Sequence, residues 1–389
     1  MAVKSFWLHM NSTPVSGEMI ELEARRRSHV VVNAWEKDLA AKLKAANPEI
    51  RTFVYKDLSS TRDYACANGV DDADLPTGVG YCEADPSWFL RGADGRRFEY
   101  EGYPGHWQMD VGNTAYQNAW AENVVASSAK AFDGVFMDNA LFACDTYHPG
   151  VCPTAYPTDA AMREAYVSML ANTRQKFVDA GLETIANLSG ARLHEGAWDS
   201  YAEHLDGGFD EWWLTFGDTY LLAEYPQGWS RQIAQVTANE AKGRTTWVQP
   251  HHSGAEQPFR YAFASYLLAA GSRTAISEIE QTDRYDTPSP WRAEYDWDLG
   301  DPLGPHREVA ENVHQRDFEC GTVIVNANRT GSAPVTVGLA ETQEDERGAP
   351  VSSVALPGTS GTVLRKTCQS VRSSCTGSGR ATITGHEAW

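Results

Sequence analysis

The sequence predicts an α/β fold: a (β/α)₈ TIM barrel over residues 1–310, then a small C-terminal antiparallel β-sandwich domain over residues 316–369. Eight short β-rich runs alternate with helical stretches along roughly 300 of the 389 residues, a size that suits such a barrel. After YDWDLGDPLGP (295–305), only short alternating strands follow, which indicates a separate all-β unit. A doubly wound open sheet is the competing fold, but LHMNSTPVSG, after the first run, lacks the GxGxxG typical of it.

The eight predicted barrel strands are short runs rich in β-branched and aromatic residues. In chain order they are SFWLHMN (5–11), SHVVVNAW (28–35), RTFVYKD (51–57), DGVFMDN (133–139), ETIANLS (183–189), LDGGFDEW (205–212), TTWVQPH (245–251) and RTAISEIE (273–280).

Helices are predicted between several of these strands. Over residues 159–180, apolar residues recur at helical spacing, Thr158 or Asp159 can cap the start, and Gly181 can end the helix. A second helix is predicted over residues 258–271, ended by Gly271. The runs CGTVIVNAN, APVTVGL, VSSVALP and GTVLRK then predict the strands of the β domain, and the Ser/Gly/Thr-rich residues 370–389 a flexible tail.

Composition narrows the function classes. The net charge of −19 opposes binding to a phosphate backbone, so we expect no nucleic-acid partner. No apolar stretch approaches the ~20 residues of a membrane span. No basic and apolar leader precedes KSFWLHM, so no signal peptide is expected. The 13 Trp and 16 Tyr are compatible with sugar binding, although most such residues pack in cores.

The seven cysteines predict disulfides and therefore an oxidising compartment. Close spacing pairs Cys66 with Cys82 and Cys144 with Cys152, and Cys320 is expected to pair with Cys368 or Cys375. An extracellular or virion-associated location follows. The alternative is a cytoplasmic protein with free thiols. No CxxC pair is present, so no structural zinc site is expected.

Polar residues end nearly every predicted strand. The carboxyl ends of barrel strands carry the functional groups, so these residues predict a polar site above an apolar barrel. Side chains alternate along a strand, so Phe136 and Asp138 share the inward face, as do Phe209 and Glu211, while Asp210 points the other way.

Two carboxylates at such a site suggest cleavage of a glycosidic bond, in which one group donates a proton and the other stays charged. The structural alternative is that both are helix caps, ion-pair partners or sugar-binding groups. Metal ligation by His251 and His252 is weakly indicated because their side chains should diverge. No phosphate-binding loop is present, and no metal or other cofactor is expected.

Three stretches resemble a known family. HWQMDVGNTAYQNAWAENVVASSAKAFDGVFMDNA, LDGGFDEWW, and DLGDPLGP followed by RDFECGTVIVNAN are similar in order and spacing to blocks of glycosyl-hydrolase-like family fifteen of bacteria and phages. The resemblance implies a nucleophile after the fourth strand, at Asp138, and an acid/base after the sixth, at Glu211. It also implies that Asp110, in the W-x-x-D block, shapes the substrate pocket. This chain has GNTAY where the family commonly has Asn-Pro.

The sequence thus predicts a glycoside hydrolase of a polysaccharide. An Arg-rich, Lys-poor composition typical of a GC-rich genome suggests bacterial cell-wall arabinan or galactan as that polysaccharide. Retention is favoured, because neighbouring strand ends can bring two carboxylates to ~5–5.5 Å. Substrate contacts are expected from Asp57, Asp110, Asn139, Trp35, Trp212, Gln249, His251 and Glu278.

Two alternatives remain open. The chain could be a non-catalytic carbohydrate-binding or virion structural protein built on the same barrel. Within the enzymatic interpretation, Glu278 or Asp210 could supply the proton while Glu211 only binds sugar. Bulky Trp212 and Trp213 beside Glu211 favour a raised pKa there, as an acid requires.

Overall fold

The computed structural model describes residues 2–280 and 284–367. Eight parallel strands follow one another around the first sheet in chain order. A parallel bridge between Ser5 and Ile276 joins its two edges, so the sheet closes as a barrel and the predicted fold class is confirmed. The strands are β1 (Phe6–His9), β2 (His29–Val32), β3 (Arg51–Asp57), β4 (Gly134–Asp138), β5 (Glu183–Asn187), β6 (Gly207–Asp210), β7 (Thr245–Val248) and β8 (Thr274–Ile276).

Seven α-helices of the described residues surround these strands: α1 (Gly17–Arg26), α2 (Lys37–Ala46), α3 (Thr114–Ser128), α4 (Asp159–Ala180), α5 (Ala197–Ala202), α6 (Trp229–Ala241) and α7 (Glu256–Ala269). Helix α4 is confirmed with both caps: the Thr158 side chain accepts from Ala161 N–H, and Gly181 is left-handed at φ 68°. Helix α7 stops two residues before the predicted Gly271, because Ala270 is already extended. None of the helices in the described ranges is long and apolar enough to cross a membrane.

The barrel interior is filled by inward-facing apolar side chains. Phe6, Phe53, Phe136, Phe209 and Trp247 belong to one buried cluster, and the rings of Phe6 and Trp247 stack at 5.3 Å. The alternation predicted for the fourth and sixth strands is confirmed, since Val135 and Met137 belong instead to the core between strands and helices. A packed interior leaves the strand ends as the place for a site.

Two long insertions rise from those strand ends. Between β3 and α3, residues 58–113 form two small antiparallel pairs, Ser60–Arg62 with His106–Gln108 and Cys66–Ala67 with Val70–Asp71. The disulfide Cys66–Cys82 joins this insertion internally, and Cys144–Cys152 closes the loop between β4 and α4. Both predicted disulfides are confirmed. Cys368 and Cys375, the predicted partners of Cys320, lie outside the described residues.

After β8 the chain enters a six-stranded antiparallel sheet with the order β9-β10-β11-β14-β12-β13. Its strands are β9 (Arg307–Ala310), β10 (Val313–Phe318), β11 (Gly321–Asn326), β12 (Val335–Glu344), β13 (Pro350–Leu356) and β14 (Ser360–Arg365). Val323 and Val363 share a core with Phe259 and Phe263 of α7, so this sheet packs on the barrel's last helix. The tail predicted over residues 370–389 lies outside the described residues.

Candidate active site

A cavity of about 450 Å³ opens above the carboxyl ends of the barrel strands. We call it the mouth cavity. It lies over the inward-facing Phe136 and Phe209 and is bounded by aromatic side chains from the first long insertion. The residues that matter below are Trp35, Tyr55, Arg62, Asp138, Asn139, Tyr147, Asn187, Glu211 and Tyr285. Asp138 and Glu211, the predicted catalytic pair, thus meet in one cavity.

Asp138 is the last residue of β4 and accepts three hydrogen bonds. Tyr55 Oη donates to Oδ2 at 2.7 Å, while the Asn139 backbone N–H and the Asn187 side-chain amide donate to Oδ1 at 2.9 and 3.1 Å. Burial and the nearby charge of Asp57 raise the pKa of Asp138, and these three donors act in the opposite direction. The donors favour the charged form that a nucleophile needs.

Glu211 is the first residue after β6 and shares a donor with Asp138. Asn187 Nδ2 donates to Glu211 Oε2 at 2.9 Å and to Asp138 Oδ1 at 3.1 Å, and Tyr285 Oη donates to Glu211 Oε1 at 3.0 Å. Burial raises the pKa of Glu211, and the charge of Asp138 raises it further. A carboxyl group whose pKa is raised by a neighbouring carboxylate is a candidate proton donor.

Asn139 connects the pair to a third carboxylate, that of the fully buried Asp57. Its backbone is left-handed at φ 60°, a conformation that Asn tolerates better than most residues. Its side chain donates to Asp57 Oδ2 at 2.7 Å and accepts from the Tyr147 hydroxyl. Asp57 also binds Arg62 at 2.8 Å. Burial opposes ionisation of Asp57, but Arg62 and the neighbouring donors lower its pKa. Asp57 is therefore a buried anion that accepts the hydrogen bond from the Asn139 side chain.

Asp210 differs from Glu211 in position rather than in chemistry. Burial raises the pKa of Asp210 to about 7, a value that would suit a general acid. However, its carboxylate accepts from Gln232 of α6 at 3.0 Å, on the helix side of β6. The predicted opposite orientation is confirmed, and Asp210 is not among the described residues of the mouth cavity.

Three other predicted substrate-binding residues lie outside the described lining of the mouth cavity, and a fourth, Trp35, lies at its rim. Gln249 and Glu278 line a neighbouring cavity of about 370 Å³. Arg292 binds both carboxylate oxygens of Glu278, whose pKa is nevertheless raised by burial. Asp110 accepts from the Tyr156 hydroxyl and from Gly112 N–H at the start of α3. Trp35 lies on the mouth rim, 48% exposed.

His251 and Trp212 form a stacked pair beside Glu211. Their ring centroids are 3.7 Å apart with the planes 14° from parallel. His251 Nε2 lies 2.7 Å from the backbone oxygen of Glu211, and burial lowers the pKa of His251 to about 4, so the ring is neutral at neutral pH. A neutral imidazole that donates through Nε2 fixes Trp212 and the Glu211 backbone together.

No site role was predicted for three residues that hydrogen-bond Asp138 or Glu211, or for Tyr147, which donates to Asn139. Tyr55 and Asn187 belong to the polar strand ends that the sequence predicted above the barrel, but no substrate or catalytic role was predicted for them. Tyr285 and Tyr147 lie on irregular loops and contact the site through tertiary structure, for which the sequence holds no periodic signal.

One group of potential metal ligands lies in the first long insertion, away from Asp138 and Glu211. Within residues 2–280 and 284–367, the group close enough to hold an ion is Cys66, Asp71 and Cys82. The two cysteines are joined as a disulfide, so their sulfurs are not thiolate ligands.

The family model described as hypothetical glycosyl hydrolase family 15 matches residues 44–322. The chain belongs to this family. The predicted resemblance is confirmed, and with it the enzyme class: the protein is a glycosidase. The barrel and the acidic pair at its mouth agree with membership in this hydrolase family. No curated protein matches the chain.

Solved structures resemble the chain at low sequence identity, and the first two below share its fold. The alpha-glucosyl transfer enzyme XgtA is 10% identical at TM-score 0.54, with 94% of this chain and 99% of that chain covered. The debranching enzyme of Nostoc punctiforme is 10% identical at TM-score 0.50, covering 94% and 98%. The glycoside hydrolase domain of PelA from Pseudomonas aeruginosa is 15% identical at TM-score 0.46, covering 74% and 97%.

Proposed function

We propose that the protein is a retaining glycosidase of a polysaccharide, with Asp138 as nucleophile and Glu211 as acid/base. The observation that carries the proposal is the shared donor, because Asn187 Nδ2 bonds one oxygen of each carboxyl group at 3.1 and 2.9 Å. Those oxygens can lie no farther apart than the two bond lengths together. The limit applies to one oxygen of each group, and it supports the ~5–5.5 Å spacing of a retaining pair over the ~6.5–9.5 Å spacing that leaves room for a water molecule.

The reaction follows from this geometry in two steps. Asp138 Oδ2, which holds the single donor Tyr55, attacks the anomeric carbon while Glu211 gives its proton to the departing glycosidic oxygen. The C–O bond breaks and a glycosyl ester forms on Asp138. Glu211, now charged, takes a proton from water, whose oxygen attacks the same carbon and releases Asp138.

The roles follow from the hydrogen bonds of each group. Asp138 has three donors, which stabilise its charged form, and Glu211 has two; each carboxyl group also meets a neighbouring negative charge, from Asp57 and from Asp138 respectively. We therefore assign Asp138, which has more donors, as the nucleophile and Glu211 as the acid. Glu278 is bound by Arg292 and Asp210 faces α6, which disfavours either as the proton donor.

We propose bacterial cell-wall arabinan or galactan as the substrate and the cell exterior or a phage particle as the place of action. The two disulfides are typical of an extracellular or secreted protein. The Arg-rich, Lys-poor composition supports a GC-rich source whose cell wall would contain such polymers.

Release of reducing ends from purified arabinan and galactan tests the assignment. Asp138→Asn and Glu211→Gln are expected to lose about 10³-fold or more in rate, because each removes one half of the acid–nucleophile pair. Asp210→Asn and Glu278→Gln are the matched controls and should keep most of the activity. Near-normal turnover by Glu211→Gln, or loss in Asp210→Asn alone, would contradict the proposed roles.

A further inference from the structure

A second cavity adjoins the mouth cavity at the catalytic pair. It measures about 300 Å³ and is bounded by the loop after β4, the turn after β5, and Trp212. We call it the side cavity. The two cavities share four lining residues, Asn139, Tyr147, Asn187 and Glu211. The mouth cavity and the side cavity therefore adjoin each other at Glu211.

The two cavities differ in which carboxylate they reach. The mouth cavity is lined by both Asp138 and Glu211, whereas the described lining of the side cavity includes Glu211 without Asp138. The sugar under attack must touch the nucleophile and the acid, but the leaving group needs only the acid. The mouth cavity therefore suits the sugar that forms the ester, and the side cavity suits the departing part of the chain.

An aromatic surface is available in each cavity. Trp35 is 48% exposed at the rim of the mouth cavity, and Trp212 is 36% exposed in the side cavity. The Trp212 ring is already held by its stack on His251 at 3.7 Å. Flat aromatic faces with fixed orientation bind the apolar faces of sugar rings at little entropic cost. Such surfaces on both sides of the cleavage point suit a chain that extends past it in both directions.

Few charged side chains in the described part of the chain line the two cavities: Asp138, Glu211 and Arg62, which is paired with a buried carboxylate. Among the described lining residues, Arg62 is the remaining permanently charged side chain, and it is paired with buried Asp57 at 2.8 Å. Burial lowers the pKa of His106 to about 4 and also lowers that of His194, so both are neutral at neutral pH. A uronate chain would need unpaired cations here, and an amino-sugar chain would need further carboxylates.

We propose that the enzyme cleaves a polysaccharide of neutral sugars internally, with the chain lying across both cavities and its leaving portion in the side cavity. This inference rests on the proposed function and adds the position of cleavage and the charge class of the substrate.

Product size on four polymers tests the inference. Wild-type enzyme is incubated with arabinan and galactan as neutral probes, polygalacturonate as the anionic probe and chitosan as the cationic probe. Size-exclusion chromatography at low conversion should show a neutral polymer shortened into long fragments before monosaccharide accumulates. Monosaccharide as the first product, or equal cleavage of a charged polymer, would overturn the inference while leaving a glycosidase. Cleavage of none of the four would instead contradict the proposed function.

Two side-cavity variants locate the leaving portion. Trp212→Ala removes the aromatic surface and Leu193→Arg adds charge at a lining residue that is 57% exposed. Trp212→Ala is expected to raise KM for the neutral polymer about tenfold, since a lost stacking contact is worth on the order of that factor. Leu193→Arg is expected to raise KM as well, because a bulky cation would then lie in the side cavity. Tyr220→Ala is the control, because Tyr220 is 63% exposed and is not among the described residues of either cavity. An unchanged KM in both variants would overturn the inference.

Discussion

The side-chain amide of Asn187 donates a hydrogen bond of 2.9 Å to Glu211. The same nitrogen also reaches Asp138, so one neutral group on the strand between β4 and β6 sets the spacing of both carboxylates. Its own orientation is fixed because Asn187 Oδ1 accepts from the Ser189 backbone N–H at 3.1 Å. The two carboxylates of the proposed pair are therefore held by a strand end, together with loop donors such as Tyr285.

Asn187→Ala is expected to lower kcat about 10²-fold, because loss of one preorganised donor in an active site costs on that order. KM should change little if the amide acts mainly through the two carboxylates. Asn172→Ala serves as the control, since Asn172 lies on α4 and bonds Gln117 and Ser168 away from the mouth. Full kcat in Asn187→Ala would contradict a positioning role.

The pH profile should be bell-shaped and should separate the two roles. The acidic limb reports ionisation of Asp138, and the alkaline limb reports loss of the proton from Glu211. Tyr55→Phe removes a donor that lowers the pKa of Asp138, so the acidic limb should move to higher pH. Tyr285→Phe removes a donor that lowers the pKa of Glu211, so the alkaline limb should move to higher pH. Stopped assays of kcat/KM across pH make this comparison. If Tyr55→Phe moves the alkaline limb instead, the roles of the two carboxyl groups are exchanged.

The loop disulfide should affect catalysis as well as stability. Cys144–Cys152 closes the loop that carries Tyr147, whose hydroxyl donates to Asn139 beside Asp138. Replacing both of these cysteines with Ser is expected to lower kcat about tenfold. Replacing Cys66 and Cys82 with Ser is the control. It should mainly lower the free energy of unfolding, by ~3 kcal/mol, and leave kcat nearly unchanged. Equal kcat values in the two double variants would contradict this link.

The buried ion pair behind the site should dominate local stability. Arg62→Ala leaves Asp57, whose side chain is 0% exposed, without its cation, and is expected to cost ~3–5 kcal/mol in the free energy of unfolding. Arg25→Ala is the matched control: its pair with Glu21 spans 3.4 Å with both side chains 63% exposed, and its loss should cost ~1 kcal/mol or less. Urea unfolding measures both free energies of unfolding. Similar losses in the two variants would show that the buried ion pair stabilises the fold no more than an exposed one.

The strand pattern was sufficient to predict the barrel and the face of the strands on which Asp138 and Glu211 lie. Alternation along β4 and after β6 determines which side chains face the mouth, so the amino-acid sequence alone favours Asp138 and Glu211 over Asp210. Side-chain alternation did not predict the surroundings of Glu278. Arg292, which is distant from it in sequence, donates hydrogen bonds to both of its carboxylate oxygens. Tyr285 was not predictable, since an irregular loop after β8 brings it to Glu211.

The anomeric configuration of the first product tests the central claim most directly. A retaining reaction passes through an ester on Asp138, so proton NMR at early times should show the new reducing end with the configuration of the bond that was cleaved. The sample is wild-type enzyme on the polysaccharide from which it releases reducing ends, recorded before mutarotation. Retention is the predicted result. Initial formation of the opposite anomer would show direct attack by water and would contradict Asp138 as the nucleophile.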